Sequence, residues 1–263
     1  HRDRQKDRRR QFCYYTQYAP VLAREAAGAG YRRRVLTPLL YYLYTPFQTK
    51  IALYRCLKEA FGHRIRFREV SSAYDRALAF HRRVRTALFE QYRKRCSTGK
   101  EFHVVLLGRP YTVLSAAMNK NIPGRFVRQG VQAFLQDKVD VPLDGHRAGA
   151  VFGRELHWHY ADRILAAAET VGETPGAYPV LVTSFKCAPD SFAVEYFRRL
   201  MASYGKPYLV LQLDEHDSRV GYETRIEAAV RSFRNHFAAD VRTKTPAPVS
   251  FSPAPISLSI RAI

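Results

Sequence analysis

Short apolar runs that alternate with helical stretches are the feature that most constrains how this chain can fold. The apolar runs lie at 102–108, 131–135, 178–185 and 207–213. Their length and lack of polar alternation are typical of strands buried on both faces of a parallel sheet. Helical patterns follow the runs, at 122–129, 158–170, 189–204 and 224–237. The alternation predicts an α/β domain over residues 101–240, with a parallel sheet and helices on both faces.

A basic, mostly helical segment, residues 1–100, precedes the predicted α/β domain. It holds 24 Lys and Arg against 7 Asp and Glu, a net charge of +17, whereas residues 101–263 hold 19 against 16, a net of +3. Arginine dominates, and its guanidinium suits phosphates and carboxylates. Coenzyme A, nucleic acid and an acidic protein surface are therefore candidate partners, and an arginine-rich composition without any binding role is the alternative.

Both ends of the chain predict further domains. The chain starts at His1, and we expect residues 1–100 to complete an upstream domain. Residues 241–263 contain four prolines and read as a linker into a following domain. No apolar run is long enough to span a bilayer, and no signal-peptide pattern is present, so we expect a cytoplasmic protein without membrane contact.

The four cysteines do not form a recognisable metal or disulfide pattern. They stand at positions 13, 56, 96 and 187, with no CxxC pair and no zinc-type spacing. Such a number is too small for a disulfide framework in a chain of this size. We expect all four to be reduced, and we interpret Cys56 and Cys96 as incidental residues of helices.

Polar residues follow three of the predicted strands. The candidate site residues at these strand ends are Arg109 and Tyr111, then Ser184, Cys187, Asp190 and Ser191, then Asp214, Glu215 and His216. In open α/β sheets, ligands bind beyond the carboxyl ends of the strands. If the strands are parallel neighbours, these residues face one crevice, and together they predict a binding site there.

Cys187 is the residue with the sharpest chemical interpretation. It precedes a helix whose first turn contains Pro189, and Lys186 is adjacent, so we expect the thiolate to be stabilised. A thiolate is the ligand that an iron–sulfur cluster takes from a protein. Cys13 also precedes a predicted helix, among aromatic residues. The alternative for both is a small buried residue that packs at a helix start.

Other polar motifs have simpler interpretations. Asp214, Glu215 and His216 could supply a base or a metal ligand, or only close a strand with a polar loop. Thr224 and Glu227 fit a helix capping box, and Arg225 between them could contact a phosphate or carboxylate. No P-loop or dinucleotide-binding motif is present, which argues against nucleotide hydrolysis by this chain itself.

Several motifs in a fixed order resemble one known family. They are FCYYTQ at 12–17, VVLLGRPY at 104–111, NKNIP at 119–123, TSFKCAPDSF at 183–192, LDEHD at 213–217 and GYETRIE at 221–227. Together they resemble the 2-hydroxyglutaryl-CoA dehydratase-like region of the large acyl-CoA dehydratase activase proteins. The resemblance covers about residues 10–235, and the order of the motifs makes it specific.

The resemblance implies a cofactor, a partner and a reaction. In such systems an ATP-hydrolysing activase module passes one electron to a 4Fe-4S cluster in the dehydratase-like module. True dehydratases use that electron to form a ketyl radical on a 2-hydroxyacyl-CoA thioester, which then loses water. The resemblance makes Cys13 and Cys187 cluster ligands, places a further family cysteine upstream of His1, and puts the activase module on the same full-length chain.

Three hypotheses follow from the sequence. The leading one is a cluster-binding, electron-accepting module of an ATP-driven dehydratase and activase system, in which Arg109, Tyr111 and Arg225 belong to the substrate or cluster surroundings. The second is a nucleic-acid-binding module that uses the basic segment and loses affinity steeply with salt. The third is a non-catalytic docking module whose basic helices bind an acidic partner surface.

Overall fold

The structure is a computed structural model that describes residues 12–31, 34–40, 45–99, 101–141, 158–184, 187–214 and 219–242. The chain divides into two compact units, residues 1–90 and 91–263. The division into segments 1–100, 101–240 and 241–263 stays a prediction.

The described part of the first unit is helical. Its helices are α1 (Tyr14–Ala26), α2 (Pro46–Phe61) and α3 (Phe67–Thr98), and the last residues of α3 belong to the second unit. Thr45 caps α2, because its hydroxyl accepts the Gln48 backbone N–H at 3.4 Å. α1 starts directly after Cys13, so the predicted position of this cysteine before a helix is confirmed.

Helices α2 and α3 pack against each other through aromatic and charged side chains. The Phe67 ring meets the rings of Phe47 and Tyr54 edge-on, with centroids 6.4 and 5.6 Å apart. Lys50 Nζ lies 2.7 Å from Asp75 Oδ2. An apolar groove between the helices is lined mainly by Leu53, Leu57, Ile65, Val70, Ala73 and Ala77.

The second unit is built on a four-stranded, all-parallel sheet. Its strands are β1 (His103–Leu107), β2 (Gln132–Leu135), β3 (Ala177–Ser184) and β4 (Leu209–Leu213), in the order β2-β1-β3-β4. The helices after α3 are α4 (Pro110–Val113), α5 (Ile122–Arg128), α6 (His159–Glu173), α7 (Ala188–Ser203) and α8 (Arg219–Arg242). The predicted α/β class and the parallel sheet are confirmed.

Helices cover both faces of this sheet. Val105 and Leu107 of β1 belong to the same apolar cluster as Phe197 of α7, which is fully buried. Val104 and Leu106 point to the opposite cluster, which contains Phe233 of α8. Successive strand residues face opposite sides of a sheet, so a strand covered on both sides needs an apolar residue at every position. This is why β1 reads as an unbroken apolar run.

The last helix begins earlier than the sequence indicates. α8 starts at Arg219, so Thr224 lies in the helix interior and the predicted capping box of Thr224 and Glu227 is wrong. Glu227 instead accepts a hydrogen bond from Gln129 Nε2 at 3.3 Å. Among the described residues, no helix has both the length and the apolar character needed to cross a membrane.

A buried histidine begins β1 at the amino end of the sheet. His103 is 1% exposed, and its Nε2 lies 3.3 Å from the Tyr92 hydroxyl and 3.8 Å from Cys96 Sγ. Burial, and then the cations Arg95 and Lys206, lower the pKa of His103 to about 4. The imidazole is therefore neutral at neutral pH. Cys96, which the sequence left as incidental, is part of this cluster, and burial raises its pKa.

Candidate functional site

The candidate site begins where β1 ends, at Gly108. The Gly108 backbone N–H donates to Gln136 Oε1 at 3.0 Å. A Cβ atom at this position would lie 2.6 Å from the Val182 carbonyl oxygen of β3 and 2.8 Å from Val113 Cγ1. Both distances are too short for real contacts, so only glycine lets the chain turn here while the central strands stay paired.

A buried ion pair joins the end of β1 to the start of α7. Arg109 Nε donates to Asp190 Oδ1 at 2.6 Å, and the two side chains are 2% and 4% exposed. Burial acts to lower the pKa of Arg109, but the Asp190 carboxylate outweighs it, so the pKa is raised and the guanidinium stays charged. The two predicted site residues, 81 positions apart in sequence, are thus brought together.

The ion pair leaves part of the guanidinium unsatisfied. Arg109 Nη2 is buried and has no hydrogen-bond partner among the described residues. A buried donor without an acceptor costs about 1–3 kcal/mol. The Arg109 Cζ atom also lies 6.0 Å from the centre of the Tyr111 ring, and that ring is 47% exposed. Tyr111 is therefore the solvent-facing member of this group.

Cys187 stands immediately before α7, as the sequence predicts. It is the N-cap residue of the helix, it is partly buried, and Pro189 and Asp190 follow in the first turn. Asp190 and Arg109 both influence the pKa of the Cys187 thiol, which places the thiol near the ion pair. The helix start is confirmed, and the sheet places this cysteine beside the carboxyl end of the neighbouring strand.

The predicted stabilisation of the Cys187 thiolate is wrong for the free side chain. Burial raises the pKa of Cys187, and the Asp190 carboxylate raises it further. The Asp190 backbone amide and the Arg109 guanidinium act in the opposite direction but do not outweigh burial. The free residue is therefore a thiol at neutral pH, and Lys186, on which the prediction also relied, lies outside the described residues.

Two serines of the motif around Cys187 support its backbone. The Ser184 carbonyl accepts the Cys187 N–H at 3.2 Å, which closes the turn from β3 into α7. The Ser191 hydroxyl donates to the Cys187 carbonyl at 3.0 Å, one helical turn back. These bonds fix the main chain that carries the thiol.

The end of β4 forms a separate contact. The Asp214 carbonyl accepts a hydrogen bond from Lys120 Nζ, and Lys120 also lies 5.2 Å from the centre of the Tyr222 ring. Lys120 and Asn121 both have positive φ, at 50° and 54°, which is uncommon for residues other than glycine. Glu215 and His216, predicted beside Asp214, lie outside the described residues.

Two predicted site residues stand apart from the group around Arg109. Arg225 Nη2 donates to the Val210 carbonyl of β4 at 2.6 Å, so this arginine links α8 to the sheet. Cys13 is the N-cap residue of α1 in the first unit, its side chain makes no capping hydrogen bond, and it is partly buried. The structure thus gathers Arg109, Tyr111, Asp190 and Cys187 into one group.

Sequence reasoning missed two polar residues near the strand ends. Gln136 follows β2 and accepts the Gly108 N–H, and Lys120 reaches the end of β4. Lys120 stands in the NKNIP motif, which is the one signal that pointed to it. Gln136 carries no signal of its own, because an isolated glutamine after a strand is typical of any loop.

The described residues hold no metal centre of their own. They contain no group of three or more His, Cys, Asp or Glu side chains that could hold a metal ion. Cys187 beside a helix N-terminus and a guanidinium is suited to one ligand position of an anionic iron–sulfur cluster, because both neighbours favour negative charge. The other ligands of such a cluster would have to come from outside this group.

Comparison with known proteins gives one match. The sequence model of a family described as CoA enzyme activase uncharacterised domain matches residues 1–139, which is about half of the chain. The match includes β1, Arg109 and Tyr111, and it ends before Cys187. No curated protein and no solved structure matches the chain.

Proposed function

Since this chain belongs to the family of CoA enzyme activase uncharacterised domains, we propose that it is the iron–sulfur cluster-binding, electron-accepting module of an ATP-driven 2-hydroxyacyl-CoA dehydratase and activase system. The proposal rests on one observation: Cys187 lies near the buried ion pair of Arg109 and Asp190 at the carboxyl edge of the sheet. This edge is where ligands bind in open α/β sheets.

Cys187 is the proposed cluster ligand in the second unit. Its side chain is partly buried, and its free thiol has a raised pKa, so it must lose its proton when it binds iron. Arg109 offsets the negative charge that such a ligand brings, and Asp190 fixes the guanidinium in place. When bound, the 4Fe-4S cluster supplies one-electron transfer at low potential.

The remaining ligands belong to other parts of the system. Cys13, in the first unit, stays a predicted cluster ligand on the strength of its motif and its place before α1. The proposed electron donor is the ATP-hydrolysing activase module, and the proposed substrate class is an acyl-CoA thioester. Tyr111 is the exposed residue that such a substrate would meet first, because its ring is 47% exposed beside Arg109.

Removing the Cys187 thiolate tests the proposal. The chain is purified without oxygen and reconstituted with iron and sulfide. We expect Cys187→Ser to lower the bound iron from about four atoms per chain to near zero, because a hydroxyl is a poor iron ligand. Iron and acid-labile sulfide analysis, with the visible absorption spectrum, measures the effect.

The matched control is Cys56→Ser. Cys56 is also a partly buried free cysteine, but it lies within α2, away from any helix start. We expect this variant to bind as much iron as the unaltered chain. Equal iron content in the Cys187→Ser and Cys56→Ser variants would contradict the assignment of Cys187 as a ligand.

A docking module is the second candidate, and the first unit favours it. Helices α2 and α3 present an apolar groove, and residues 45–90 carry ten Lys and Arg against four Asp and Glu. Such a surface suits an apolar ridge flanked by acidic residues on the activase module. An unaltered chain that stays free of iron after reconstitution would place this candidate first. The nucleic-acid alternative rests on net charge alone.

A further inference from the structure

One nitrogen of the buried Arg109 guanidinium, Nη2, has no hydrogen-bond partner among the described residues. The residue is 2% exposed, and its Nε is bound to Asp190. Most buried polar groups in proteins are satisfied, and each exception needs a reason. Asp190 does not satisfy Nη2, because its hydrogen bond is with Nε.

Two elements near this nitrogen favour negative charge, and the Asp190 carboxylate supplies part of it. Arg109 is held against the first turn of α7, a helix of 16 residues whose N-terminus carries partial positive charge. Helix N-termini and guanidinium groups are the two common binding elements for oxyanions in proteins. Both occur here at one place, and Cys187 lies at the same helix start.

We propose that Arg109 Nη2 and the N-terminus of α7 form a binding site for the oxyanion group of a ligand, a carboxylate or a phosphate, beside the Cys187 thiol. Arginine can only donate hydrogen bonds, so the missing partner is an acceptor. A charged acceptor gives a bond about twice as strong as a neutral one. The site stands on Arg109 and α7, so it does not require the proposed cluster.

The site is tested with two alkylating reagents that differ in charge. Iodoacetate carries a carboxylate, whereas iodoacetamide is neutral, and both alkylate a free thiol. We expect the ratio of the iodoacetate rate to the iodoacetamide rate to be about tenfold higher at Cys187 than at Cys56, because the site holds the carboxylate next to the sulfur. Mass spectrometry of the peptides that contain each cysteine gives both rates in one sample.

Cys56 is a suitable internal reference because it also lies in basic surroundings. Its helix, α2, carries Lys50, Arg55 and Lys58. A general attraction of the anionic reagent to the basic chain would therefore raise the ratio at both cysteines. Added acetate or inorganic phosphate should slow the iodoacetate reaction at Cys187 only, and the more effective of the two anions identifies the kind of oxyanion.

The control variant removes the site without leaving a buried charge. Arg109→Met made together with Asp190→Asn deletes both members of the ion pair, and its thermal unfolding shows whether it is folded. In this variant the ratio at Cys187 should fall to the ratio at Cys56. The proposal would be overturned if the rate ratios at Cys187 and Cys56 were equal in the unaltered chain. A high rate ratio at Cys187 that persists in the double variant would also overturn it.

A second readout covers the case of a Cys187 thiol that reacts with neither reagent. Phosphate or acetate, compared with chloride at equal ionic strength, should then raise the thermal midpoint of the unaltered chain more than that of the double variant, since phosphate also stabilises folded proteins without a specific site. An equal rise in both proteins overturns the site. Neither readout uses iron, so failure of the oxyanion site and failure of the cluster assignment are separate results.

Discussion

Arg109→Met is expected to lower the free energy of unfolding by about 3–5 kcal/mol. The substitution removes the cation from the Asp190 side chain, which is only 4% exposed, so water cannot readily replace the guanidinium. Removing one partner of a buried pair costs far more than the pair itself contributes, because an isolated charge remains in the interior. Urea denaturation at pH 7 measures the loss.

Two comparisons isolate the cause of this loss. Arg199→Met breaks an exposed ion pair with Glu195 on the same helix, α7, whose atoms lie 3.0 Å apart, and it should cost less than about 1 kcal/mol. Arg109→Met combined with Asp190→Leu removes both buried charges and should recover most of the lost stability. A loss from Arg109→Met no larger than that from Arg199→Met would contradict the buried ion pair.

The free energy of unfolding is expected to fall by about 3 kcal/mol, through His103 alone, as the pH drops from 6.5 to 4. The folded-state pKa of His103, about 4, is below the ordinary value of 6.5, so the folded chain disfavours the protonated imidazole. Above pH 6.5 the side chain is neutral in both states and the full stability is present. Between pH 6.5 and 4 the unfolded chain takes up the proton and the folded chain does not, so stability is lost.

Comparison with variants separates His103 from the carboxylates that also titrate in this range. Between pH 6.5 and 4, the free energy of unfolding of His103→Asn should fall by about 3 kcal/mol less than that of the unaltered chain. His63→Asn removes an exposed histidine after α2 and should leave the dependence unchanged. The measurement is urea denaturation at a series of pH values. Parallel pH profiles for the unaltered chain and His103→Asn would show that the buried imidazole is not the cause.

The elements of the α/β unit were predictable where a single local pattern determines them. β1 and β3 lie at the centre of the sheet, so every residue of β1 faces a packed layer and the strand reads as a continuous apolar run. The strand order was not predictable, because β1 pairs with both β2 and β3 and no local pattern specifies which neighbour lies on which side. Order is a property of packing between distant segments.

Helix ends were predictable where a residue is incompatible with the interior of a helix. The start of α7 was predictable because Pro189 lies in its first turn, where proline is favoured. The start of α8 was missed because Thr224 suggested a cap, yet the helix begins at Arg219 and continues through Gly221 and Thr224. A glycine lowers helix stability by only about 1 kcal/mol, which tertiary packing readily outweighs.

The candidate site was predictable in outline and not in its chemistry. The sequence placed Arg109, Asp190 and Cys187 at strand ends that share one edge of the sheet. It could not indicate that Arg109 and Asp190 would be buried together, since that depends on a contact across 81 positions. Nor could it show that burial outweighs the helix N-terminus in setting the pKa of Cys187.

Electron acceptance at a cluster held by Cys187 is the central claim, and electron paramagnetic resonance tests it most directly. The chain, reconstituted without oxygen, is reduced with a low-potential chemical reductant, and the low-temperature spectrum is integrated against the iron content. We predict a signal of about one unpaired electron per cluster in the unaltered chain and none in Cys187→Ser. An iron-loaded chain that takes up no electron, or a Cys187→Ser variant with the same signal as the unaltered chain, would contradict the claim.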